Sequence, residues 1–308
     1  LEVYPKAQCY LIGLSGGVDS RVLLQVLLDA GFTNLVMCHL DHRLRGKDSE
    51  QENRLIRRLA NRLKLPLVQE QVQGWPPKVS IETAARQVRQ QFFARAAKKS
   101  GTDHVFLGHH ADDQIETFLF NVLRGTGSIG HAAMRTETRI SVDGINLVLV
   151  RPLLQVWKKE IRAYAKKRRL RFSVDVTNAE NKFTRNRIRN QLVPEIERIL
   201  GRPFKLNLLR LCEIAAEEAE MLRGLTPSWW ELDELPVRDL RTLPVALQRR
   251  VIHQCLTRKQ INDVGFEDVE QIRSMLNHQE TAKVNLSAGN SCRRRAGRLF
   301  IAPQRRAD

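Results

Sequence analysis

Short apolar runs alternate with helical periodicity through the first half of the chain. Residues 10–14, 35–40, 67–72 and 104–108 read as buried strands. Each leads toward positions spaced three and four apart, as at Val22, Leu23, Val26 and Leu27, with further helices expected over 48–63, 80–100 and 112–123. This rhythm predicts a doubly wound parallel sheet with right-handed crossovers and helices on both faces, in which ligands bind beyond the carboxyl ends of the strands. A hairpin is expected around Asp143-Gly144, with strands over 139–142 and 147–150. After it come a basic helix over 158–169 and a strand over 171–174 that closes the sheet. Beyond Pro203 the pattern turns helical (206–222, 245–257, 266–276), and the alternating run 283–302 reads as a terminal hairpin. Two domains are therefore expected, 1–203 and 204–308. Segment 226–243, with Trp229-Trp230, carries no readable period.

The turn after the first strand is Ser15-Gly16-Gly17-Val18-Asp19-Ser20. Its glycines let backbone N–H groups approach a ligand, and the following helix offers its positive N-terminus to an anion. A P-loop would need Gly-Lys-Ser/Thr after the second glycine, and a dinucleotide fingerprint a third glycine near the helix start; neither is present. The six residues resemble the pyrophosphate loop of ATP pyrophosphatases. On that likeness the glycine amides and the Ser15 and Ser20 hydroxyls would hold the β- and γ-phosphates of ATP, and Asp19 a Mg²⁺. The plainer alternative is a tight strand-to-helix turn with a serine cap.

Two more polar clusters follow predicted strands: "HLDHRLRG" from His39 and "GHHADDQIETFLFNVLRGTGSIG" from Gly108. Histidines and aspartates at strand ends also suit a metal phosphohydrolase, but such an enzyme has no use for the loop at Ser15. Asp113 and Glu116 stand at i, i+3 and share one helix face, where they can hold Mg²⁺ with substrate phosphates or orient an amine and take its proton. Alternatively they are first-turn acids favoured by the helix dipole, worth about 0.3–1 kcal/mol. Arg86 lies on a helix whose other face is apolar.

Charge adds a partner to this picture. The chain has 51 Lys and Arg against 34 Asp and Glu, net +17, and residues 151–210 alone hold 17 basic and 5 acidic residues, net +12. Such a block is either a solvated face or a surface for a phosphate backbone. The five cysteines form no CxxC pair, which argues against a disulfide framework, zinc ribbon or iron–sulfur site. With no apolar run near the ~20 residues of a membrane span and no visible signal peptide, a soluble cytoplasmic protein without membrane partners is expected.

In order, "SGGVDS", "HLDHRLRG", "IETAARQVRQQFF", "GHHADDQIETFLFNVLRGTGSIG", "RPLL" and "DVTNAENKFTRNRIRNQLVPEI" resemble the tRNA(Ile)-lysidine synthetase family, with a weaker likeness in "GFEDVEQIRSML" and the terminal hairpin. The resemblance implies an α/β fold: a Rossmann-like, HUP-type ATP-pyrophosphatase domain followed by a smaller, mainly helical tRNA-binding domain. It implies an enzyme that uses ATP and Mg²⁺ to adenylate the 2-carbonyl of the wobble cytidine in the CAU anticodon of tRNA(Ile), after which the ε-amine of L-lysine displaces AMP. Carried over by position, Ser15, Gly16, Gly17, Val18, Asp19 and Ser20 would bind pyrophosphate and metal, and His39, Asp41 and His42 would border the adenosine. Arg86, Asp113 and Glu116 would act on cytidine and lysine, and Asp175, Asn178, Arg185, Asn186 and Arg189 would belong to a tRNA-facing loop that also completes the active site. A homodimer is a possible assembly. Many members carry a further C-terminal domain for which this chain has no room, so a short form or a truncated one is expected. Three readings compete: a cytidine thiolase, which normally needs paired cysteines; an amidotransferase relative, which has no use for the basic block; and a non-catalytic basic RNA-binding protein, which leaves Asp19, Asp113 and Glu116 as repulsive acids.

Overall fold

The computed structural model describes residues 1–42, 47–75, 81–173, 184–259, 261, 264–286 and 289–303. Two compact units divide the chain at Leu1–Ala216 and Glu217–Asp308.

In the first unit β1 (Tyr10–Gly13), α1 (Val18–Asp29), β2 (Leu35–Asp41), α2 (Lys47–Leu63), β3 (Leu67–Gln71), α3 (Ile81–Ser100), β4 (His104–Phe106) and α4 (Ala111–Leu123) follow the strand–helix rhythm of the sequence. A short α5 (Ser128–His131) leads to the hairpin of β5 (Glu137–Val142) and β6 (Ile145–Val150), then to α6 (Lys158–Lys167). The sheet order is β3-β2-β1-β4-β6-β5. All neighbours run parallel except the edge pair β5·β6. Strand order reverses between β1 and β4, so their carboxyl ends diverge into a crevice. At the hairpin, Asp143 (φ 51°) and Gly144 (φ 76°) both take left-handed conformations, which twist the two-residue turn with its strands.

Strand alternation divides the core. Tyr10 and Ile12 pack with Leu23, Leu24 and Leu27 of α1, Ile56 and Leu59 of α2 and Ile161 of α6 on one face. Leu11 packs with Phe92 and Phe93 of α3 on the other, beside Val105 and Leu149. Truncating a fully buried residue such as Ile12 to Ala costs about 2–5 kcal/mol.

Two expectations for this unit change. The strand expected over 171–174 is absent from 171–173, and Val174 lies outside the described residues. Ser173 instead donates its N–H to the Gly16 carbonyl at 2.9 Å, so the segment is spent on the glycine loop rather than on a sheet edge. The unit boundary falls within a helix, not at Pro203. After α7 (Thr184–Arg187), a π-helical turn (Ile188–Leu192) and α8 (Val193–Leu200), the long α9 (Lys205–Leu225) begins by burying Leu209 against Ala111 and Ile115 of α4, which ties its first turns to the first unit.

In the second unit a 3₁₀ turn (Ser228–Glu231) precedes β7 (Glu234–Pro236), α10 (Val237–Thr242), α11 (Val245–Arg258), α12 (Phe266–Ser274), β8 (Lys283–Leu286), β9 (Asn290–Arg295) and β10 (Arg298–Pro303). The expected terminal hairpin is part of a four-stranded antiparallel sheet, β7-β10-β9-β8. The added strand β7 comes from the segment without readable period, and Trp229 and Trp230 pack against the core formed by α11, α12 and the sheet.

Candidate functional site

Loop Ser15–Ser20 leaves β1 at the switch point and enters α1 through Gly17, whose extended backbone (φ −72°, ψ 167°) marks the helix start. Gly16 sits at φ +76°, where a Cβ would lie 2.5 Å from Glu52 Cγ of α2. Ser20 Oγ donates to the Gly17 carbonyl (3.1 Å) and accepts the Ser15 N–H (3.2 Å), which folds the loop back on the helix end. Gly108, just after β4, presses backbone to backbone on the loop: a Cβ there would meet Ser20 N at 3.0 Å and the Asp19 carbonyl carbon at 3.1 Å.

A cavity of about 470 Å³ opens at these carboxyl ends. Ser15, Gly17, Asp19 and Ser20 line it from the loop, His39, Asp41 and His42 from the end of β2, and Asp113 and Arg189 from across the crevice. Asp19 Oδ1 is buried without a hydrogen-bond partner, while Oδ2 is paired with the Lys158 ammonium. An orphaned carboxylate oxygen beside a cradle of backbone amides fits a divalent cation shared with phosphates, so Asp19 is the residue that would hold Mg²⁺.

Of the three residues expected at the adenosine, His39 and Asp41 share Asn53 and His42 meets Trp75. His39 is buried, and both ring nitrogens face oxygens at 2.8 Å: Nδ1 the Leu14 carbonyl and Nε2 Asn53 Oδ1. Asn53 in turn donates to Asp41 Oδ2 at 2.8 Å. This chain of contacts fastens Leu14, just before the loop, to α2. His42 stacks on Trp75, with ring centroids 5.9 Å apart and planes 15° from parallel.

Asp113 and Glu116 do share a face of α4. Asp113 also caps that helix: its Oδ2 accepts the His110 N–H (3.0 Å) and its own N–H donates to His110 Nδ1 (3.3 Å). With Nδ1 accepting, His110 carries its proton on Nε2, which lies 3.4 Å from Asp113 Oδ2 and 3.8 Å from Asp19 Oδ1. Burial lowers the His110 pKa despite Asp113 and Asp19 nearby, which keeps the ring neutral. Glu116 is 4 % exposed and gripped by Arg189, whose Nε and Nη2 donate to its two oxygens at 2.5 and 2.8 Å; Nη2 also reaches Asp113 Oδ1 at 3.3 Å. Burial lifts the Glu116 carboxyl above its ordinary value, and Arg189 offsets this only in part.

Arg189, from the segment expected to face tRNA and complete the active site, holds the acid pair. Arg185 pairs with Glu82 of α3 at 2.9 Å, with Asn186 next to it on α7. Asp175 and Asn178 lie outside the described residues. Arg86 is exposed, and it is Arg89, one turn along α3, that lines the cavity. Sequence reading passed over Arg89, although i, i+3 spacing puts it on the face of Arg86, and also Lys158, which only the tertiary fold brings to Asp19. Arg86 and Arg89 lie close enough to buried Arg151 that, after burial itself, they lower its pKa, to about 10. Burial and the cations Arg89, Arg151 and Arg185 hold His109 well below its ordinary value. This corner of the site is anion-seeking.

A family model described as the PP-loop domain matches residues 2–196, and one described as the TilS substrate binding domain matches 235–300. The chain is 33% identical over 295 residues to a protein of Geobacter sulfurreducens named tRNA(Ile)-lysidine synthase, an alignment covering 90% of this chain and 61% of that protein. It is 32% identical over 279 residues to the Synechocystis protein of the same name, covering 87% of this chain and 83% of that one. Among solved structures, the U34-tRNA thiolase NcsA of Methanococcus maripaludis, which carries a [4Fe-4S] cluster, matches with TM-score 0.55 and 16% identity over 70% of this chain and 75% of that one, a likeness of fold.

Proposed function

Because the chain belongs to the tRNA(Ile)-lysidine synthase family, we propose that it uses ATP to adenylate the wobble-cytidine 2-carbonyl of tRNA(Ile) with a CAU anticodon and couples that carbon to the ε-amine of L-lysine, which displaces AMP, giving lysidine, AMP and pyrophosphate. One observation supports this above the others: the phosphate-cradling loop meets Asp113 and Arg189 at one cavity, from opposite sides of the switch point, with Glu116 held behind them by Arg189. The cytidine oxygen attacks the α-phosphorus of ATP, the bond to the β-phosphate oxygen breaks, and that oxygen keeps the electron pair. Loop amides and the Ser15 and Ser20 hydroxyls hold the departing pyrophosphate. A Mg²⁺ held by Asp19 would neutralise its charge.

In the second step the lysine ε-amine must lose its proton before it attacks the activated carbon. Asp113 and Glu116 can bind the incoming ammonium, and a carboxyl whose pKa burial has lifted is the better proton acceptor. To reach Glu116 the ammonium displaces or shares the Arg189 fork. The cytosine must leave its stack to meet the phosphorus, which an anticodon loop allows more readily than a duplex. The basic residues of 151–210 supply phosphate contacts for that loop. A cytoplasmic location fits such a substrate, and among the described residues no helix is long and apolar enough to cross a membrane.

Sulfur transfer to the same carbonyl fits the thiols poorly. Cys38, Cys212, Cys255 and Cys292 are buried and Cys9 is partly exposed. Burial pushes the Cys38 and Cys292 pKa values to about 12 and that of Cys212 to about 11, far from a ready thiolate. The deciding experiment measures radiolabelled pyrophosphate release and lysine incorporation with and without a tRNA(Ile) CAU transcript. Turnover that needs both tRNA and lysine, abolished in D19A, supports lysidine synthesis; pyrophosphate release without lysine transfer overturns it.

A further inference from the structure

The adenylation reading leaves one ion pair unexplained. Lys158 is the first residue of α6, and its ammonium pairs with Asp19, inside the phosphate loop. Both side chains are partly open, 29% and 27% exposed, and both border the cavity. A surface lysine usually roams, but this one is fixed at its root. Its backbone N–H donates to Asp112 Oδ2 at 2.9 Å, and Asp112 Oδ1 accepts from Lys205 Nζ at 3.3 Å. The preceding turn is anchored as well: Ala111 N–H donates to the Val156 carbonyl at 3.0 Å, and Trp157 N–H to Glu160 Oε2 at 2.8 Å. Asp112 therefore joins the start of α4 to the start of α6 without lining the cavity.

Electrostatics makes that placement useful. The loop offers neutral amides and hydroxyls plus one carboxylate, and a carboxylate alone repels a triphosphate. Arg189 is already committed to Glu116 and Asp113. Lys158 is in direct contact with the loop's own acid, so its ammonium both cancels the Asp19 charge and stands where phosphate oxygens must come.

Resting on the ATP-adenylation reading above, we propose that Lys158 is a catalytic residue of the first step. Its ammonium binds the β- and γ-phosphates over the Ser15–Ser20 loop and stabilises the charge left on pyrophosphate when the α–β phosphoanhydride bond breaks. Lys158 keeps its proton throughout. Asp112 is the positioning residue that sets the ammonium over the loop through the Lys158 backbone N–H.

The test compares wild type with K158M, K158R and D112A in two assays. Single-turnover pyrophosphate release at saturating ATP, tRNA and lysine is expected to fall about 100-fold in K158M, to recover in large part in K158R, and to fall less in D112A, with the lysine KM unchanged in all three. Mn²⁺ alone, followed by electron paramagnetic resonance without nucleotide, is expected to bind K158M more tightly than wild type, because the ammonium no longer competes for Asp19. Unfolding of K158M is monitored by circular dichroism, and K158Q, which keeps a polar side chain, replaces it should it melt early. Wild-type release rates in K158M, or a rise in lysine KM with release unchanged, overturn the proposal. Should wild type release no pyrophosphate with tRNA and lysine, the functional reading fails; the Mn²⁺ titration still judges the Lys158–Asp19 competition, and equal Mn²⁺ affinity in wild type and K158M refutes it.

Discussion

Replacing Arg189 by Met isolates the electrostatics of the acid pair. The substitution keeps most of the aliphatic stem and removes the fork that holds Glu116 at 2.5 and 2.8 Å and Asp113 at 3.3 Å. Stripping one partner from a fully buried pair costs about 3–5 kcal/mol. Here Glu116 is almost wholly enclosed but the Arg189 side chain is 37% exposed, so solvent screens part of the attraction and a loss of about 1–2 kcal/mol is expected. In a unit of about 200 residues that lowers Tm by roughly 2–8 °C. The loss depends on pH in a definite direction. Burial already raises the Glu116 pKa, and without Arg189 it rises further, so the folded state binds this proton more tightly than the unfolded chain does. The penalty is full where Glu116 is ionised in both states and fades as pH falls toward the unfolded value near 4.5. Differential scanning calorimetry of wild type, R189M, E116Q and the double variant between pH 8 and about 5 completes the cycle. A coupling energy near zero, or a Tm loss that does not shrink with falling pH, would refute this account of the pair.

Ala at Asp113 or Glu116 is expected to depress lysine transfer by about 10²–10⁴-fold with ATP affinity retained, read by radiolabelled lysine incorporation and equilibrium ATP binding; full transfer in either variant removes it from the chemistry. G108A should weaken ATP binding while leaving the fold intact by calorimetry, because its methyl must displace the Asp19–Ser20 backbone at 3.0–3.1 Å. In the second unit, hydrogen bonds from Arg249 and Arg273 lower the Glu270 pKa to about 2. That stabilisation is complete above the unfolded value of 4.5 and is lost as pH falls from 4.5 toward 2, so acid unfolding followed by tryptophan fluorescence should show a step that E270Q lacks. Affinity for tRNA should fall steeply and linearly on a log–log plot against salt, and alanines at Arg162, Lys166 and Lys167 should flatten the slope, whereas ATP affinity changes little.

Local periodicity carried the strand–helix order of the first unit and its glycine loop, because each β–α pair is a short-range pattern with its own turn. It also put Asp113 and Glu116 on one face, since helix geometry decides that within three residues. Pairings made by the fold rather than by the chain stayed out of reach. Arg189 finds Glu116 73 positions away, and Lys158 finds Asp19 139 positions away. Nothing in the local spacing of a basic block separates those two cations from their solvated neighbours. The same limit hid β7, three residues long, whose strand character exists only because β10 pairs with it. Asp113 shows a different limit: one carboxylate caps the helix through Oδ2 on the His110 N–H and still turns Oδ1 toward Arg189 at the cavity, so a capping role does not take it out of the candidate site.

Uneven burial of the thiols makes the protein easy to label at one point. Cys9 is the partly exposed member of the five and stands immediately before β1, at the amino end of a four-residue strand whose other end feeds the cavity. At about 3.3 Å per residue, a maleimide dye there sits roughly 13 Å from the far end of β1, with Leu14 still between that end and the phosphate loop. Burial raises the Cys9 pKa, so coupling should be slow at neutral pH and quicken toward pH 9, while the four enclosed thiols stay unmodified until the fold opens. A single fluorophore could then follow ligand binding in the first unit without trespassing on the chemistry, and a second equivalent of dye would report unfolding.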